Sequence, residues 1–134
     1  MAFILLLALT PLAVQAHGPA VIVTPPVFSD ASGNELESVV VGSQVVISTT
    51  FKNNVEEPLP FVWLLEVRDS DGVTLFLAWQ SGFLDLQDNR TMAASYLVQE
   101  PSDYYQARVF VLSNILNPQV LSQVLVSEVR RVDT

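Results

Sequence analysis

Apolar and polar residues alternate with a period of two along most of this chain of 134 residues. The pattern is clearest in segments 44–52, 61–68 and 104–111, and in the first of them every second residue from Val45 to Phe51 falls on one side. Successive side chains of a β-strand point to opposite faces, so this spacing predicts strands with one buried face. No window of helical length carries an apolar stripe with a spacing of 3.6 residues. The fold is therefore predicted to be all-β.

Turn-forming residues divide the chain into short segments of this kind. The runs from Asp30 to Asn34 and from Asp69 to Gly72 are typical of tight turns, since Gly, Asn and Asp adopt the backbone angles that turns require. About 7–8 strands separated by such turns predict an antiparallel, immunoglobulin-like β-sandwich spanning 38–134, with 17–37 as its N-terminal strand and turn. The remaining strands are expected near 20–24, 39–41, 74–80, 91–98 and 122–132.

The residues around Trp63 and Tyr105 support the immunoglobulin-like arrangement. Trp63 lies in the middle of segment 61–68, where such sandwiches bury a tryptophan across the core. Tyr105 lies near the start of segment 104–111, where a tyrosine hydroxyl bonds back to the chain at a corner. The chain has no cysteine, and Ala107 and either Thr49 or Ile47 stand where antibody domains have their disulfide. A disulfide-free core held together by packing is therefore predicted.

The first residues of the chain have the composition of a secretory leader. An apolar run extends from Phe3 to Val14 and includes Pro11, and a small residue follows at Ala16. This pattern predicts a signal peptide over 1–16 with cleavage after Ala16. The run is too short for a comfortable membrane span of roughly twenty residues, so no span is expected after cleavage. The mature chain would begin at His17 and act as a secreted, extracellular or cell-surface protein, with an uncleaved anchor as the alternative.

The charge balance narrows the range of partners. The formal net charge is −8 at pH 7, and every charged side chain follows residue 16. Nucleic acids and anionic lipid surfaces are bound through Lys and Arg, of which this chain has 6 in total. We therefore expect no nucleic-acid partner, and the acidic surface is interpreted as a solubility feature.

His17 is the one histidine of the chain and the first candidate for chemistry. After cleavage behind Ala16, its imidazole and the free α-amine form a pair of nitrogen ligands suited to Cu(II), as in histidine-brace copper proteins. A complete brace needs a second histidine, and only a weaker carboxylate from Asp30 or Glu35 is near in sequence. The competing interpretation is an untethered terminal residue. With its one histidine at this terminus, the chain offers no Ser/His/Asp system, and no catalytic residue is predicted.

Two further motifs suggest a calcium ion or a modification. The run from Asp69 to Gly72 resembles the start of a calcium loop, but the position of the closing Glu is held by Gln80, so a hairpin turn is the better interpretation. A calcium ion shared between loops remains an alternative. Its further ligands would be Asp85, Asp88, Glu56 or Glu57. The run Asn89-Arg90-Thr91 is a glycosylation sequon at a predicted turn.

Binding surfaces form a third group of hypotheses. Four aromatic residues, if exposed, would provide a surface on which sugar rings stack, although partial burial in the sandwich is the competing interpretation. They are Tyr96, Tyr104, Trp79 and Phe83. The apolar segment 20–24 precedes Pro25 and Pro26, and it either pairs at an edge of its own sheet or adds to a neighbouring copy and builds a filament.

Three stretches of the chain resemble a known module. They read VGSQVVISTTFKNN, PFVWLLEVRDSDGVTLFLAWQSG and YYQARVFVLSNILNPQVLS, and the resemblance covers 39–132. It is similar to the CARDB or fibronectin-III-type sandwich module of archaeal exported and cell-surface proteins. The shared features are turns, core aromatics and the corner at Asn117 and Pro118, so the resemblance implies a spacer, an adhesive unit or a binding platform.

Together these observations predict an exported, non-catalytic β-sandwich module for cell-surface binding, adhesion or structural assembly. Its expected partners are a protein or a polysaccharide, with self-association as a further option. The alternative, which is a different class of function, is an extracytoplasmic copper-binding protein that uses His17.

Overall fold

A computed structural model describes residues 18–133. The predicted leader over 1–16 and the copper candidate His17 lie outside the described residues. The described chain forms nine strands and no helix. They are β1 (Val21–Val23), β2 (Val27–Ser29), β3 (Ser38–Val39), β4 (Gln44–Asn53), β5 (Leu59–Arg68), β6 (Thr74–Leu84), β7 (Asn89–Leu97), β8 (Tyr104–Leu112) and β9 (Leu125–Arg131).

The strands form two sheets, which confirms the predicted all-β sandwich. In the four-stranded sheet, β7 pairs with one edge of β4, while β1 and β2 pair with successive parts of the other edge. The five-stranded sheet has the order β3-β9-β8-β5-β6. All pairings are antiparallel except that of β3 with β9, which is parallel over two residues. The sheets face each other across one core in which Trp63, Phe51 and Leu65 are fully buried.

The largest differences from the predicted strands are at β2 and β6, and the other boundaries differ by up to three residues. The short strand β2 was not predicted, because its three residues lie between Pro25-Pro26 and the Asp30 turn and are too few to show alternation. Strand β6 was predicted over 74–80 and continues to Leu84. Its last residues, Gly82 among them, do not alternate in polarity, so the sequence pattern ends before the strand does.

The predicted tryptophan and tyrosine positions are both confirmed. Trp63 is completely buried, and its indole N–H donates to Thr49 Oγ1 at 2.7 Å. The Tyr105 hydroxyl donates to the carbonyl of Glu100 and accepts a hydrogen bond from the Ser102 amide, which is the predicted corner. Burying a polar group is costly unless it is hydrogen-bonded, so the first contact ties the two sheets together across the core and the second ties β8 to the loop before it.

The loop between β4 and β5 is organised by the buried side chain of Asn53, which is 2% exposed. Its Nδ2 donates to the carbonyl oxygens of Glu57 at 2.8 Å and Asp85 at 3.1 Å, with Leu84 at 3.4 Å. Its Oδ1 accepts from the Val55 amide at 2.9 Å. One amide therefore joins the end of β4 to the β4–β5 loop and to the end of β6.

The two ends of the described chain lie at opposite ends of the sandwich. Near the first residues, the carbonyls of Pro19 and Ala20 accept hydrogen bonds from Asn54, which follows β4. Near the last residues, the amide of Val132 donates to Val39, close to where β4 begins. Because β4 spans ten residues, its length separates these two points.

Tyr96 is a buried side chain whose hydroxyl has no hydrogen-bond partner within 18–133. It is 4% exposed on β7, and its ring packs 5.3 Å from that of Phe76. Burial, with smaller contributions from the charge of Glu100 and from Tyr105 and Asp69, raises the pKa of Tyr96 to about 12. Burial also raises the pKa of Tyr105.

These shifts predict a loss of stability at alkaline pH. Folding raises the pKa of such a tyrosine above its value near 10 in the unfolded chain. The resulting stabilisation is complete below pH 10 and is lost as the pH rises toward the pKa of the folded state. For Tyr96 the loss falls between about pH 10 and 12. Replacing Tyr96 by Phe should make the decline shallower by up to about 1.4 kcal/mol per pH unit. Urea unfolding at intervals from pH 7 to 11.5 measures this slope, and equal slopes in the two proteins would contradict the prediction.

Candidate binding face

The five-stranded sheet has an outer face that points away from the core. On β5 the residues Trp63, Leu65 and Val67 point inward, so the alternate positions point outward, and the strand registers extend this face across the sheet. We define the outer face by twelve residues. They are Leu77 and Trp79 of β6, Val62, Leu64, Glu66 and Arg68 of β5, Gln106, Arg108, Phe110 and Leu112 of β8, and Val126 and Glu128 of β9.

One half of the outer face is apolar. Leu64 stands opposite Trp79 on one side and opposite Phe110 on the other, so the three side chains form a row across β6, β5 and β8. Trp79 is 57% exposed, and Leu77 beside it is 56% exposed. Phe83, further along the same face of β6, is 61% exposed. Trp79 and Phe83 are therefore presented to solvent, whereas Phe110 is half-buried, and the strand register sets the positions of all three.

The neighbouring row of the outer face is charged. Glu66 Oε1 accepts a hydrogen bond from Arg108 Nη1 at 3.1 Å. It also forms an ion pair with Arg68 Nε at 2.6 Å, although the Arg68 Nε–H group makes no hydrogen bond. Glu66 Oε2 accepts from Thr74 Oγ1 at 3.1 Å. The Arg108 guanidinium also lies over the Phe110 ring, 5.2 Å from its centroid. The carboxylate is thus held between two cations, directly beside the apolar row.

The charged half continues toward the opposite edge of the sheet. Gln106 Nε2 lies 3.4 Å from Glu128 Oε2, which extends the polar row onto β9. Beyond it, a groove with a volume of about 520 Å³ is lined by polar and charged side chains. They are Glu37, Asp103, Tyr104, Glu128 and Arg130.

The structure separates the four aromatic candidates. Trp79 and Phe83 are exposed on the same side of β6, as a stacking surface requires. Tyr96 is buried, as the competing interpretation expected, because β7 directs its side chain into the core. Tyr104 is half-buried and lines the polar groove at the other edge of the sheet.

The acidic motifs are occupied by turn contacts. Asp69 Oδ1 accepts from the amides of Asp71 at 2.9 Å and Val73 at 2.8 Å, which is the predicted hairpin turn. Asp30 accepts from the side chain and amide of Asn34 and from the amide of Ser32, and these bonds, the Asn34 side chain first, hold its pKa below the usual value. Across 18–133, no group of three or more His, Asp or Glu side chains could hold a metal ion. The proposed sharing of calcium between loops therefore has no geometric basis in this part of the chain.

For other predicted features the structure gives the position of the residues but does not test their predicted role. The sequon residue Asn89 is the exposed first residue of β7, and its occupancy stays a prediction. The N-terminal strand pairs with β4 of its own chain from Val21 to Val23, and Val21 is fully buried. Among the described residues, no helix is long and apolar enough to cross a membrane. Copper binding by His17 stays a prediction as well.

The outer face was not predicted as a site from the sequence. A signal for it is present, because Leu64 and Phe110 are apolar at positions whose strand neighbours on both sides are also apolar. In a sandwich each sheet is covered on only one face. A strand that is apolar on both faces therefore exposes apolar side chains on the uncovered face. What the sequence does not supply is the register that brings Leu64, Phe110 and Trp79 into one row.

Comparison with known proteins identifies the fold alone. No family model matches the chain, and no curated protein matches it. Among solved structures, the C-terminal domain of wzt is similar with a TM-score of 0.69 and 12% identity, covering 88% of this chain and 76% of that one. A β-glucosidase from Listeria innocua is similar with a TM-score of 0.59 and 16% identity, over 87% of this chain and 16% of that enzyme. The alkylpurine DNA glycosylase AlkC of Pseudomonas fluorescens gives a TM-score of 0.58 and 12% identity, over 85% and 31%.

These neighbours share a β-sandwich with this chain. The chain spans less than a third of the length of the two enzymes, so the likeness is confined to one part of each. At identities of 12–16%, it transfers no residue and no activity.

Proposed function

We propose that this chain is an exported, non-catalytic module that binds a polysaccharide on the outer face of the five-stranded sheet. The observation that carries the proposal is the exposed Trp79, aligned with Leu64 and Phe110 and bordered by the Glu66 ion-pair cluster. The export part of the proposal depends on the leader pattern over 1–16.

The outer face matches the chemistry of a sugar chain. A pyranose ring has an apolar face of C–H groups that stacks on an aromatic ring, and a rim of hydroxyls that need hydrogen-bond partners. Trp79 and Phe110 supply aromatic surface in one row. Arg108 and Glu66 in the next row supply a fixed donor and acceptor, and charge-assisted hydrogen bonds are the stronger kind. Apolar surface with a few placed polar groups is typical of small-ligand and glycan sites.

The arrangement favours binding over catalysis. Both oxygens of Glu66 are engaged, one with the two arginines and the other with Thr74. A carboxylate held in this way orients a ligand hydroxyl, whereas proton transfer needs a carboxyl group free to reach the reacting atom. The outer face is also a sheet surface, which suits a long polymer that lies across several strands.

Replacing Trp79 by Ala should abolish most of the binding. Truncating a tryptophan at the centre of a binding surface costs about 2 kcal/mol or more, which is about thirtyfold in affinity. Affinity electrophoresis of the protein through gels that contain laminarin, xylan, mannan or dextran measures retention. We expect at least one polymer to retard the wild-type chain, and the W79A variant to migrate as in a gel without polymer.

Two controls separate binding from folding. Leu97→Ala removes an exposed apolar side chain from the other sheet, where it is 46% exposed, and should leave retention unchanged. The two tryptophans also differ as fluorophores, since Trp63 is fully buried and Trp79 is exposed. Added polymer should therefore shift the emission of Trp79 alone, and this shift should be lost in W79A. Retention of W79A equal to that of the wild type, or retention of the wild type by none of the polymers, would contradict the proposal.

A further inference from the structure

The last strand of the five-stranded sheet has an unpaired edge. Strand β6 pairs with β5 on one side over its whole length, from Leu84 opposite Leu59 to Thr74 opposite Arg68. On its other side no strand of the described chain pairs with it. Outside strand pairing, no other backbone group of the described chain bonds the backbone of Thr74–Leu84, and Asn53 Nδ2 reaches the carbonyl of Leu84 at the end of the strand. A row of backbone N–H and C=O groups is therefore available for another strand.

This edge lacks the features that normally prevent strand addition. Proteins protect edge strands with charged side chains, proline or very short length. The sequence of β6, TLFLAWQSGFL, has eleven residues with no charged residue and no proline. The inner strands β5 and β8 do carry charges, at Glu66, Arg68 and Arg108. Charge is thus present in the middle of the sheet and missing at the edge where protection is needed.

The other edges within residues 18–133 are protected. On the four-stranded sheet, β1 and β2 have three residues each and are separated by Pro25 and Pro26. At the opposite edge of that sheet, the carbonyl of Ala93 on β7 is already occupied by Gln80 Nε2 at 3.0 Å. On the five-stranded sheet, β3 covers the end of β9. Strand β6 is the long uncharged edge that remains.

Side chains on both faces of β6 would be covered by an added strand. Three consecutive residues of β6 are exposed: Trp79, Gln80 and Ser81. Because side chains alternate between faces along a strand, the middle of β6 is exposed on both faces, with Gln80 reaching the edge of the opposing sheet at Ala93. An added strand would bury apolar surface on the outer side and satisfy backbone groups along the edge.

We propose that the strand added to β6 is β6 of a second copy of this chain, running antiparallel about a two-fold axis. The net charge of −8 makes copies repel one another, and the uncharged β6 edge is where two such chains approach at least electrostatic cost. The strand is also self-complementary. With the axis at Trp79 all eleven residues pair, and the exposed Trp79 of one copy stands opposite Trp79 of the other. The two five-stranded sheets then form one continuous sheet, and the outer faces of both copies lie side by side.

This assembly is tested by the oligomeric state in solution. Sedimentation equilibrium of the wild-type protein should give a dimer at micromolar concentration. Trp79→Lys places the two ammonium groups directly opposite each other at the axis, and like charges in an interface cost several kcal/mol, so its dimer should dissociate at concentrations about a hundredfold higher or more. Ala93→Lys adds the same charge at an exposed position of β7 and should remain dimeric. A monomeric wild type, or a W79K variant that dimerises as the wild type does, would overturn the proposal.

Disulfide trapping provides a second measurement that does not depend on a weakened variant. Because the chain has no cysteine, a single Trp79→Cys substitution introduces the one thiol of each copy. Pairing about an axis at Trp79 places position 79 of one copy directly opposite position 79 of the other, so mild oxidation of W79C should give a covalent dimer. Leu97→Cys on β7 is the control and should stay monomeric on a denaturing gel. Absence of crosslinking in W79C, or equal crosslinking of L97C, would overturn the proposal.

Discussion

Replacing Trp63 by Ala is expected to lower the free energy of unfolding by about 3–5 kcal/mol. The side chain is fully buried, and its removal leaves a large cavity between the two sheets. It also leaves the hydroxyl of Thr49, itself 1% exposed, without the indole donor that lies 2.7 Å away. Urea unfolding at neutral pH, followed by far-ultraviolet circular dichroism, measures the change.

The control for this prediction is an exposed side chain away from both the core and the β6 edge. Leu97 on β7 is 46% exposed, so Leu97→Ala should change the stability by less than about 0.5 kcal/mol. The hydrogen bond is isolated by a double-mutant cycle in which Trp63→Phe and Thr49→Val are measured singly and together. We expect a coupling energy of about 0.5–1.5 kcal/mol. If W63A and L97A destabilised the protein equally, the core position of Trp63 would be refuted.

Replacing Asn53 by Ala is expected to cost about 2–4 kcal/mol, a large effect for a side chain outside the apolar core. The substitution removes the amide that bonds the carbonyls of Glu57 and Asp85 and the amide of Val55. Buried backbone groups left without partners lose about 1–3 kcal/mol each unless water reaches them. The transition midpoint in urea should fall in proportion.

Two variants test the origin of this effect. Asn53→Asp keeps the size and the acceptor for Val55 but turns a second oxygen toward the carbonyls of Glu57 and Asp85, so it should be at least as destabilising as N53A. Asn54→Ala is the adjacent control, because the Asn54 side chain makes one exposed hydrogen bond, to Pro19 at 3.1 Å. An N53D variant as stable as the wild type would show that donation by Nδ2 does not stabilise the loop.

The core of the fold could be predicted because its signals are local. Alternation around Trp63 and Tyr105 identifies buried faces within single strands, and the turn residues at Asp30 and Asp69 mark where strands end. Strand β2 is too short for any alternation, so it could be found only from its pairing with β4. The parallel pairing of β3 with β9 joins residues far apart in sequence and leaves no local pattern.

The candidate site was predicted less completely because it depends on relations between strands. Trp79 and Phe83 could be identified as candidate stacking residues, but their exposure follows from the position of β6 at the sheet edge. The sequence could not separate Tyr96 from these two residues, and Tyr96 lies in the core. Whether a strand lies at the edge or in the centre of a sheet is decided when the sheet assembles. The alternation with period two in the sequence is the same in both cases.

The two ends of the described chain lie at opposite ends of the sandwich, and this has a mechanical consequence. Strand β1 runs inward from one end beside β4, and β9 runs outward to the other end beside β8. Tension applied between the ends therefore acts along these strands and loads their hydrogen bonds in shear. Bonds in shear share the load and must break together, whereas bonds that are peeled break one at a time. A chain joined at both ends to other structures would carry tension through β1–β4 and β8–β9, with the outer face and the β6 edge left outside the main load path.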